Sequence, residues 1–430
     1  MKCDSCGLES DLDQAFSPTW KSFLSFQKPL HFCPPCLGKR QAAVSDWALL
    51  FVAVMSVLAI FMALTIAKPS DRTMLLACGC LIVFLPLATV LHELAHAVAG
   101  KVLGMRLFSV SYGSSGRVLY RLRLLNCVVE IRRSLEGGLT RAAPRSTRWL
   151  RLRWGLVVAA GPLANTILGV AALLVPLRSP AVETMVQSFA LANLLMVGIA
   201  LWPWKHATAT GVIPSDGLAL LTIPFASGRL FQQKHAAYFV LEGIECLRKK
   251  DYGGAEAWAQ KGLREYPGDV RNRSILGVAL LSLGRFDEAR SLFLELAESD
   301  EPPANEPQNK AIFLNAIAWA DLLTGDANLL EEADRYSQQA MRATPWVAAI
   351  KGTRGSVLVT LGRLDEGMRL LEQAIHEHDE NDNKALNACF LAIGFKKAGD
   401  VVASQRYLEE ARSLDPECPL IPRVLEAMNF

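Results

Sequence analysis

Four long apolar stretches dominate the first half of the chain. They cover residues 47–67, 74–100, 154–177 and 185–204, and the first, third and fourth carry no formal charge. A helix of roughly 20 residues crosses the roughly 30 Å of hydrocarbon in a bilayer, so each stretch is long enough to span a membrane. Buried helices of a large soluble core seldom give four such runs so close together. The pattern therefore predicts a bundle of four membrane-spanning helices.

The loop between the second and third stretches combines strand-like alternation with positive charge. Residues 107–112, 117–125 and 128–131 are β-branched or apolar runs, which predicts a small β element. Residues 101–153 contain twelve Lys and Arg but only two acidic residues. Because loops rich in Lys and Arg stay on the cytoplasmic side, this loop and, with four spans, both termini are expected to be cytoplasmic. We expect an integral membrane protein of the bacterial inner membrane.

The second half of the chain repeats at a period of 34 residues. Gly243 recurs as Gly277 and Ala255 recurs as Ala289, and looser copies follow. The period and its small residues resemble tetratricopeptide helix pairs, in which small side chains let helices pack closely. The resemblance implies an α-solenoid whose concave face suits a protein or peptide partner. A generic helical bundle is the alternative.

Charge also divides the chain. Residues 1–234 hold 23 Lys and Arg against 11 Asp and Glu, whereas residues 235–430 hold 22 against 31. A split of this kind is typical of domains with different surroundings. We therefore predict a cytoplasmic segment at 1–45, a membrane domain at 46–232 and a repeat domain at 233–430.

The second apolar stretch contains a His-Glu-Leu-Ala-His motif at residues 92–96. On a helix, residues i and i+4 share a face, so His92 and His96 can bind one zinc ion while Glu93 activates zinc-bound water beside it. Polar groups are costly in a membrane helix and mark functional sites, which disfavours a chance match. Asp216 is the best candidate for a third ligand, although it would also suit a helix N-terminus, and His206 is the rival ligand.

These residues resemble the site-2 protease family of intramembrane zinc metalloproteases. The resemblance implies that Asp216 is the third zinc ligand, that Glu93 is the catalytic carboxylate, that Asn193 binds substrate and that the small sheet pairs with the substrate backbone. Ala200 replaces a second asparagine frequent in the family, and the segment between Pro203 and Asp216 is longer than in the compact form of the motif. The matching elements are the histidine motif, the Ala-Gly-Pro-Leu-Ala-Asn sequence at 160–165, Asn193, Pro203 and the Ser-Asp-Gly sequence at 215–217.

Four cysteines near the amino terminus form two closely spaced pairs. Their spacing predicts a zinc-ribbon-like structural site with four sulfur ligands. A redox-active pair is the weaker alternative, because no βαβ pattern surrounds either pair. The local charge is not basic enough to favour DNA, so no nucleic-acid partner is expected. The pairs are Cys3 with Cys6 and Cys33 with Cys36.

Together these features predict a mainly α fold, in which a four-span membrane bundle with a small β element is followed by an α-solenoid. The predicted function is an intramembrane zinc endopeptidase that hydrolyses peptide bonds of a membrane-tethered protein. Two zinc ions are expected, one catalytic and one structural. The expected partners are membrane lipid, the tethered substrate and a protein or peptide on the repeats. The alternative is a non-catalytic membrane scaffold that recruits partners through its repeats.

Overall fold

The computed structural model describes residues 69–428, except 114–117, 125–126, 133–136, 209–210 and 379, together with scattered residues before 69 that include the four paired cysteines. Near the amino terminus, β1 (Ser17–Pro18) pairs antiparallel with β2 (His31–Phe32). The predicted span at 47–67 lies outside the described residues, apart from three positions.

Three described helices are long and apolar enough to cross a membrane: α1 (Pro69–Val102), α2 (Leu150–Leu173) and α3 (Pro180–Leu201). They pack against one another. The outward face of α1 is apolar and exposed, whereas its inward face carries buried histidines. An apolar exterior around a polar interior is the arrangement expected of helices surrounded by lipid. The exposed residues follow helical spacing: Val83, Leu87, Val90, Leu94 and Val98.

The basic loop forms a four-stranded sheet beside α1. Its strands are β3 (Met105–Tyr112), β4 (Val118–Leu124), β5 (Cys127–Arg132) and β6 (Gly138–Pro144), in the order β4-β5-β3-β6. β3 runs parallel to β5 and antiparallel to β6. The first three strands confirm the predicted β element. β6 was not predicted, because its Gly-Leu-Thr-Arg-Ala-Ala-Pro sequence has low β propensity.

A hairpin of β7 (Lys205–Thr208) and β8 (Gly211–Pro214) follows α3 and leads into the short helix α4 (Asp216–Thr222). Ser215 is the N-cap of α4, because its hydroxyl accepts a hydrogen bond from the Leu218 amide. A Cβ at Gly217 would overlap the carbonyl of Leu201, so only glycine lets α4 begin this close to the end of α3. Asp216 is thereby held against the membrane helices.

The chain divides into two compact units. The membrane unit, residues 38–241, holds the apolar helices and the sheet, and the repeat unit consists of residues 1–37 together with 242–430. Ala255 and Ala289, which recur at the predicted period, are fully buried. A Cβ at Gly277 would contact the Phe293 ring, so small residues occur where helices pack closely. The described helices after α4 are α5 (Gly228–Arg248), α6 (Tyr252–Glu265), α7 (Val270–Ser282), α8 (Phe286–Glu298), α9 (Pro307–Thr324), α10 (Ala327–Ala343), α11 (Ala348–Thr360), α12 (Leu364–Glu377), α13 (Asn381–Lys397), α14 (Val401–Leu414) and α15 (Ile421–Met428).

The amino-terminal segment lies on the repeat region. The Ser10 hydroxyl donates to the Ala343 carbonyl at 2.6 Å, and the Trp346 ring packs against the cysteine cluster. These contacts are made with the last residue of α10 and with the turn that follows it. The two parts of this unit are therefore joined in space, although the membrane helices separate them in sequence.

The first and last repeats are also in contact. The ammonium group of Lys250, just after α5, lies 2.8 Å from a carboxylate oxygen of Asp415, just after α14. It lies 3.8 Å from the carboxylate of Asp382 at the start of α13. The mainly helical fold, with a small sheet and helical repeats, is as predicted.

Candidate metal centre

Two imidazoles and one carboxylate meet between α1, α2 and α4. His92 and His96 lie one turn apart on α1, and their Nε2 atoms are 3.1 Å apart. The Oδ2 atom of Asp216 lies 2.8 Å from Nε2 of His92 and 3.3 Å from Nε2 of His96. Both histidines are buried, and Asp216 is mostly so. The three potential ligand atoms thus converge on one point.

Hydrogen bonds define the tautomer of His92. The Asn165 amide nitrogen donates to the carbonyl of Ala88 at 3.1 Å and to Oδ1 of Asn193 at 2.8 Å. The Asn165 oxygen must therefore face the Nδ1 atom of His92, which lies 2.7 Å away. Because that oxygen can only accept, Nδ1 carries the proton. Nε2 is left with a lone pair directed at Asp216.

His96 is oriented in the same way. Its Nδ1 atom lies 2.7 Å from the backbone carbonyl oxygen of Val157, which again can only accept, so Nε2 of His96 also has a free lone pair. Two nitrogen lone pairs and a carboxylate oxygen then face one another with no proton between them, an arrangement that a cation stabilises. Zinc with ligands at about 2.0–2.1 Å places tetrahedral ligand atoms about 3.3 Å apart, close to the separations found here. This donor set fits zinc.

Gly161 lets α2 approach the centre. A Cβ at this position would overlap the rings of both His92 and His96. The glycine and asparagine of the sequence at 160–165 therefore have separate roles: Gly161 makes room for the imidazoles, and Asn165 orients one of them.

Glu93 follows the first histidine and is half-buried. The Thr140 hydroxyl on β6 donates to its Oε2 atom at 2.8 Å. The backbone of β6 is so close that a Cβ at Gly138 would overlap the Glu93 side chain. A carboxylate is thus held beside the three converging atoms, where general-base chemistry needs one.

Asn193 lies behind the centre. It is fully buried; its oxygen accepts from Asn165, and its amide nitrogen donates to the Phe189 carbonyl at 2.9 Å. The structure therefore gives Asn193 a role in orienting Asn165, and contact with substrate remains a prediction. Sequence reasoning gave Asn165 no role, although the motif at 160–165 contained it.

The rival ligand His206 lies in β7, and its side chain is outside the described residues. Of the two uses considered for Asp216, capping of the helix is performed by Ser215 instead.

The four predicted sulfur ligands form a second cluster. Their Sγ atoms all lie within 4.8 Å of one another, and those of Cys6 and Cys33 are 3.7 Å apart. The Cys33 amide donates to the sulfur of Cys3 at 3.3 Å. Zinc–sulfur bonds of about 2.3 Å place tetrahedral sulfurs about 3.8 Å apart, so this cluster fits a structural zinc ion.

The model of Peptidase family M50 matches residues 80–385, more than half of the chain. The match covers the histidine motif, the sheet, Asn165 and Asp216. No curated protein matches the chain.

Three solved structures are similar to part of the chain, and two of them are of TPR proteins. TTC0263, a thermophilic TPR protein of Thermus thermophilus, is 20% identical, covers 45% of this chain and 100% of its own, and has a TM-score of 0.37. The MamA protein is 16% identical, with 42% and 92% covered and a TM-score of 0.29. YrrB, a TPR protein with an unusual peptide-binding site, is 13% identical, with 44% and 90% covered and a TM-score of 0.28.

Proposed function

The chain belongs to peptidase family M50, and on this premise we propose that it is an intramembrane zinc endopeptidase that hydrolyses peptide bonds of a membrane-tethered protein. One observation supports the proposal above the others. The Nε2 atoms of His92 and His96 and the Oδ2 atom of Asp216 converge within 3.3 Å of one another among apolar helices, with Glu93 adjacent. Family membership supports a metallopeptidase, and this geometry supports the residue roles.

His92, His96 and Asp216 would hold the catalytic zinc ion. When bound, zinc supplies Lewis acidity, which polarises the scissile carbonyl and makes water a stronger acid. Glu93 takes a proton from the attacking water and then delivers it to the leaving amine. Asn165 keeps the His92 lone pair directed at the metal position throughout.

Both termini are proposed to lie in the cytoplasm. Residues 1–37 and 242–430 form one compact unit, which supports placing both on one side of the membrane with an even number of crossings between them. Three described helices can span, which favours a further crossing by the apolar stretch at 47–67. The twelve basic residues of 101–153 favour the cytoplasm as the side of the termini, and a bacterial inner membrane suits this orientation.

The repeat unit would bind a protein or peptide, either the substrate or a regulator. The contact between Lys250 and Asp415 joins its first and last repeats. The non-catalytic scaffold is not favoured, because such a protein has no need of a preserved ligand set with a positioned carboxylate.

Glu93→Gln tests the catalytic proposal. Membranes of cells that lack the native protein and express either wild type or this variant should be compared by quantitative proteomics. The variant should accumulate intact membrane-tethered proteins that the wild type cleaves, because an amide cannot accept the proton. Glu183→Gln, an exposed change in the first turn of α3, is the matched control and should behave as wild type. Identical cleavage products with Glu93→Gln and wild type would reject the proposal.

Metal analysis tests the proposed cofactors. Purified protein should hold two zinc ions, and His92→Ala and Cys3→Ser should each remove a different one. A zinc content unchanged by His92→Ala would contradict a metal ion at the centre.

A further inference from the structure

The contacts of Glu93 with β6 assign a role to a residue outside the proposed ligand set. We propose that Thr140 is a positioning residue for Glu93, because its hydroxyl holds Oε2 and leaves Oε1 to take the proton of the attacking water. This inference rests on the proposed function. Thr140 touches neither the ligand atoms nor, in the proposed reaction, the reacting atoms, so it acts through Glu93.

The hydrogen bond is well formed and has no substitute nearby. The Thr140 hydroxyl lies 2.8 Å from Oε2 of Glu93 and 3.2 Å from the backbone carbonyl oxygen of the same residue. The carboxylate oxygen is the closer acceptor, so it takes the single hydroxyl proton. Among the residues that the structure describes, this hydroxyl is the one hydrogen-bond donor to the Glu93 carboxylate. Without it, the rotatable bonds of Glu93 would leave the carboxylate free to turn away.

The strand that carries Thr140 is itself held in place. Thr140 is paired with Val110 of β3, and the Ser111 hydroxyl donates to the Leu139 carbonyl at 3.2 Å. At the strand's start, the Gly113 amide donates to the Gly137 carbonyl at 2.7 Å. β6 therefore has a fixed register against β3 and can act as a rigid support.

Gly138 completes this support. Because it lacks a Cβ, the backbone of β6 lies directly against the Glu93 side chain. Glu93 is thus restricted by backbone at 138 and hydrogen-bonded by the side chain at 140, two residues along the same face of the strand. A side chain facing the other way, such as that of Arg141, cannot replace either contact.

Thr140→Val removes the hydroxyl and keeps the shape, whereas Thr140→Ser keeps the hydroxyl. The probe is a single-span protein cleaved by the wild type, in detergent. We expect kcat to fall about 10- to 100-fold for Thr140→Val, as loss of positioning does, with unchanged KM and zinc content, and to recover to within about threefold for Thr140→Ser. Thr89→Val is the matched control and should match wild type, because it removes a hydroxyl that donates to the Leu85 carbonyl within α1 and lies 3.7 Å from the Met196 sulfur, away from Glu93.

Three results would overturn the assignment: full activity of Thr140→Val, a Thr140→Ser variant as impaired as Thr140→Val, or a defect confined to KM or zinc content. Glu93→Gln separates the two levels of argument. If Glu93→Gln is active, the proposed function fails; if it is inactive while Thr140→Val is normal, only the role of Thr140 fails.

A readout that needs neither metal nor activity tests the contact itself. In chelator-treated membranes, Glu93→Cys with Thr140→Cys should be joined by a short bis-thiosulfonate reagent, and the linked peptides identified by mass spectrometry. Glu93→Cys with Arg141→Cys should not be joined, because position 141 faces away. Equal cross-linking of the two pairs, or none in the first, would contradict the proposed contact.

Discussion

Buried polar side chains are arranged differently in the membrane unit and in the repeat unit. In the membrane unit, His92, His96 and Asp216 direct their ligand atoms at one point. In the repeat unit, Nε of Arg290 on α8 donates to the buried carboxylate of Asp321 on the neighbouring helix α9 at 2.6 Å. The first arrangement brings hydrogen-bond acceptors together without a donor between them, whereas in the second a cation donates directly to a carboxylate.

The same pairing recurs along the repeats. Lys351 is buried and its ammonium group lies 2.5 Å from a Glu377 oxygen, and the buried Arg354 lies 2.5 Å from an Asp334 oxygen. Each of these cations faces a carboxylate on a neighbouring helix, so these residues join helix to helix. Convergence of acceptors without a donor distinguishes a binding site from buried polar packing. Changes at the point of convergence should therefore affect metal retention far more than changes in the repeats.

Asp216→Asn should have the largest effect on metal retention. It keeps the size of the side chain but removes the charge that neutralises zinc, so zinc at the centre and proteolysis should both be lost, as measured by metal analysis and substrate cleavage. Asp400→Asn is the matched control. Asp400 is an N-cap whose side chain accepts from the Ala403 amide, and asparagine caps about as well as aspartate. If Asp216→Asn is fully active and keeps its zinc, Asp216 is not a ligand and His206 becomes the candidate for the third ligand.

Gly161→Ala should have the second largest effect on metal retention. The new methyl group overlaps both imidazoles, and overpacking of this kind costs about 1–3 kcal/mol, so zinc affinity should fall by about 100-fold as two ligands move together. Competition with a fluorescent chelator measures the affinity. Gly155→Ala changes the same helix at a position with nothing closer than 4.0 Å and should bind zinc normally. Equal affinities of the two variants would show that α2 does not constrain the ligands.

Asn165→Ala should have a smaller effect, because the ligands themselves remain. Loss of the acceptor for His92 Nδ1–H frees the ring to turn, and losing such a partner typically lowers metal affinity about 10- to 100-fold. The same competition assay applies. Asn272→Ala removes an equally buried asparagine from the repeats and should leave the affinity unchanged. A normal affinity for Asn165→Ala would contradict the assigned tautomer.

Arg290→Met should leave metal retention unchanged and destabilise the repeats. Removing one partner of a buried ion pair costs about 3–5 kcal/mol, so the free energy of unfolding of the repeat unit should fall by that amount in urea titrations. Arg285→Met is the control, because its partners Glu256 and Glu288 form a half-exposed cluster whose pairs are worth about 1 kcal/mol or less. Loss of zinc from the centre formed by His92, His96 and Asp216 in Arg290→Met would mean that the two units are energetically coupled.

The sequence predicted those features whose cause is local. The pairing of His92 with His96 follows from helical spacing alone, and the apolar stretches follow from their length. The 34-residue period likewise placed Ala255 and Ala289 at close helix contacts. The proposed ligand role of Asp216 was implied by the resemblance to a family, because no local pattern marks a contact across 124 positions.

Other features could not be predicted, for physical reasons. The role of Asn165 depends on which way its amide faces, and three partners from other segments decide that. β6 forms because β3 offers an unpaired edge, although its own sequence has weak strand preference. The packing of the cysteine cluster against Trp346 could not be predicted, because neither segment carries a local sequence pattern that indicates the other.

The packing of the amino-terminal segment against Ala343 and Trp346 has a consequence for folding during synthesis. Ser10 and the residue it bonds are 333 positions apart, and ribosomes add about 5–20 residues per second. The residues that contact the cysteine segment are therefore synthesised roughly 15–70 s after it, an interval in which the apolar helices are inserted. During that interval the four thiols are not covered by Trp346, so early binding of a metal ion would protect them from oxidants.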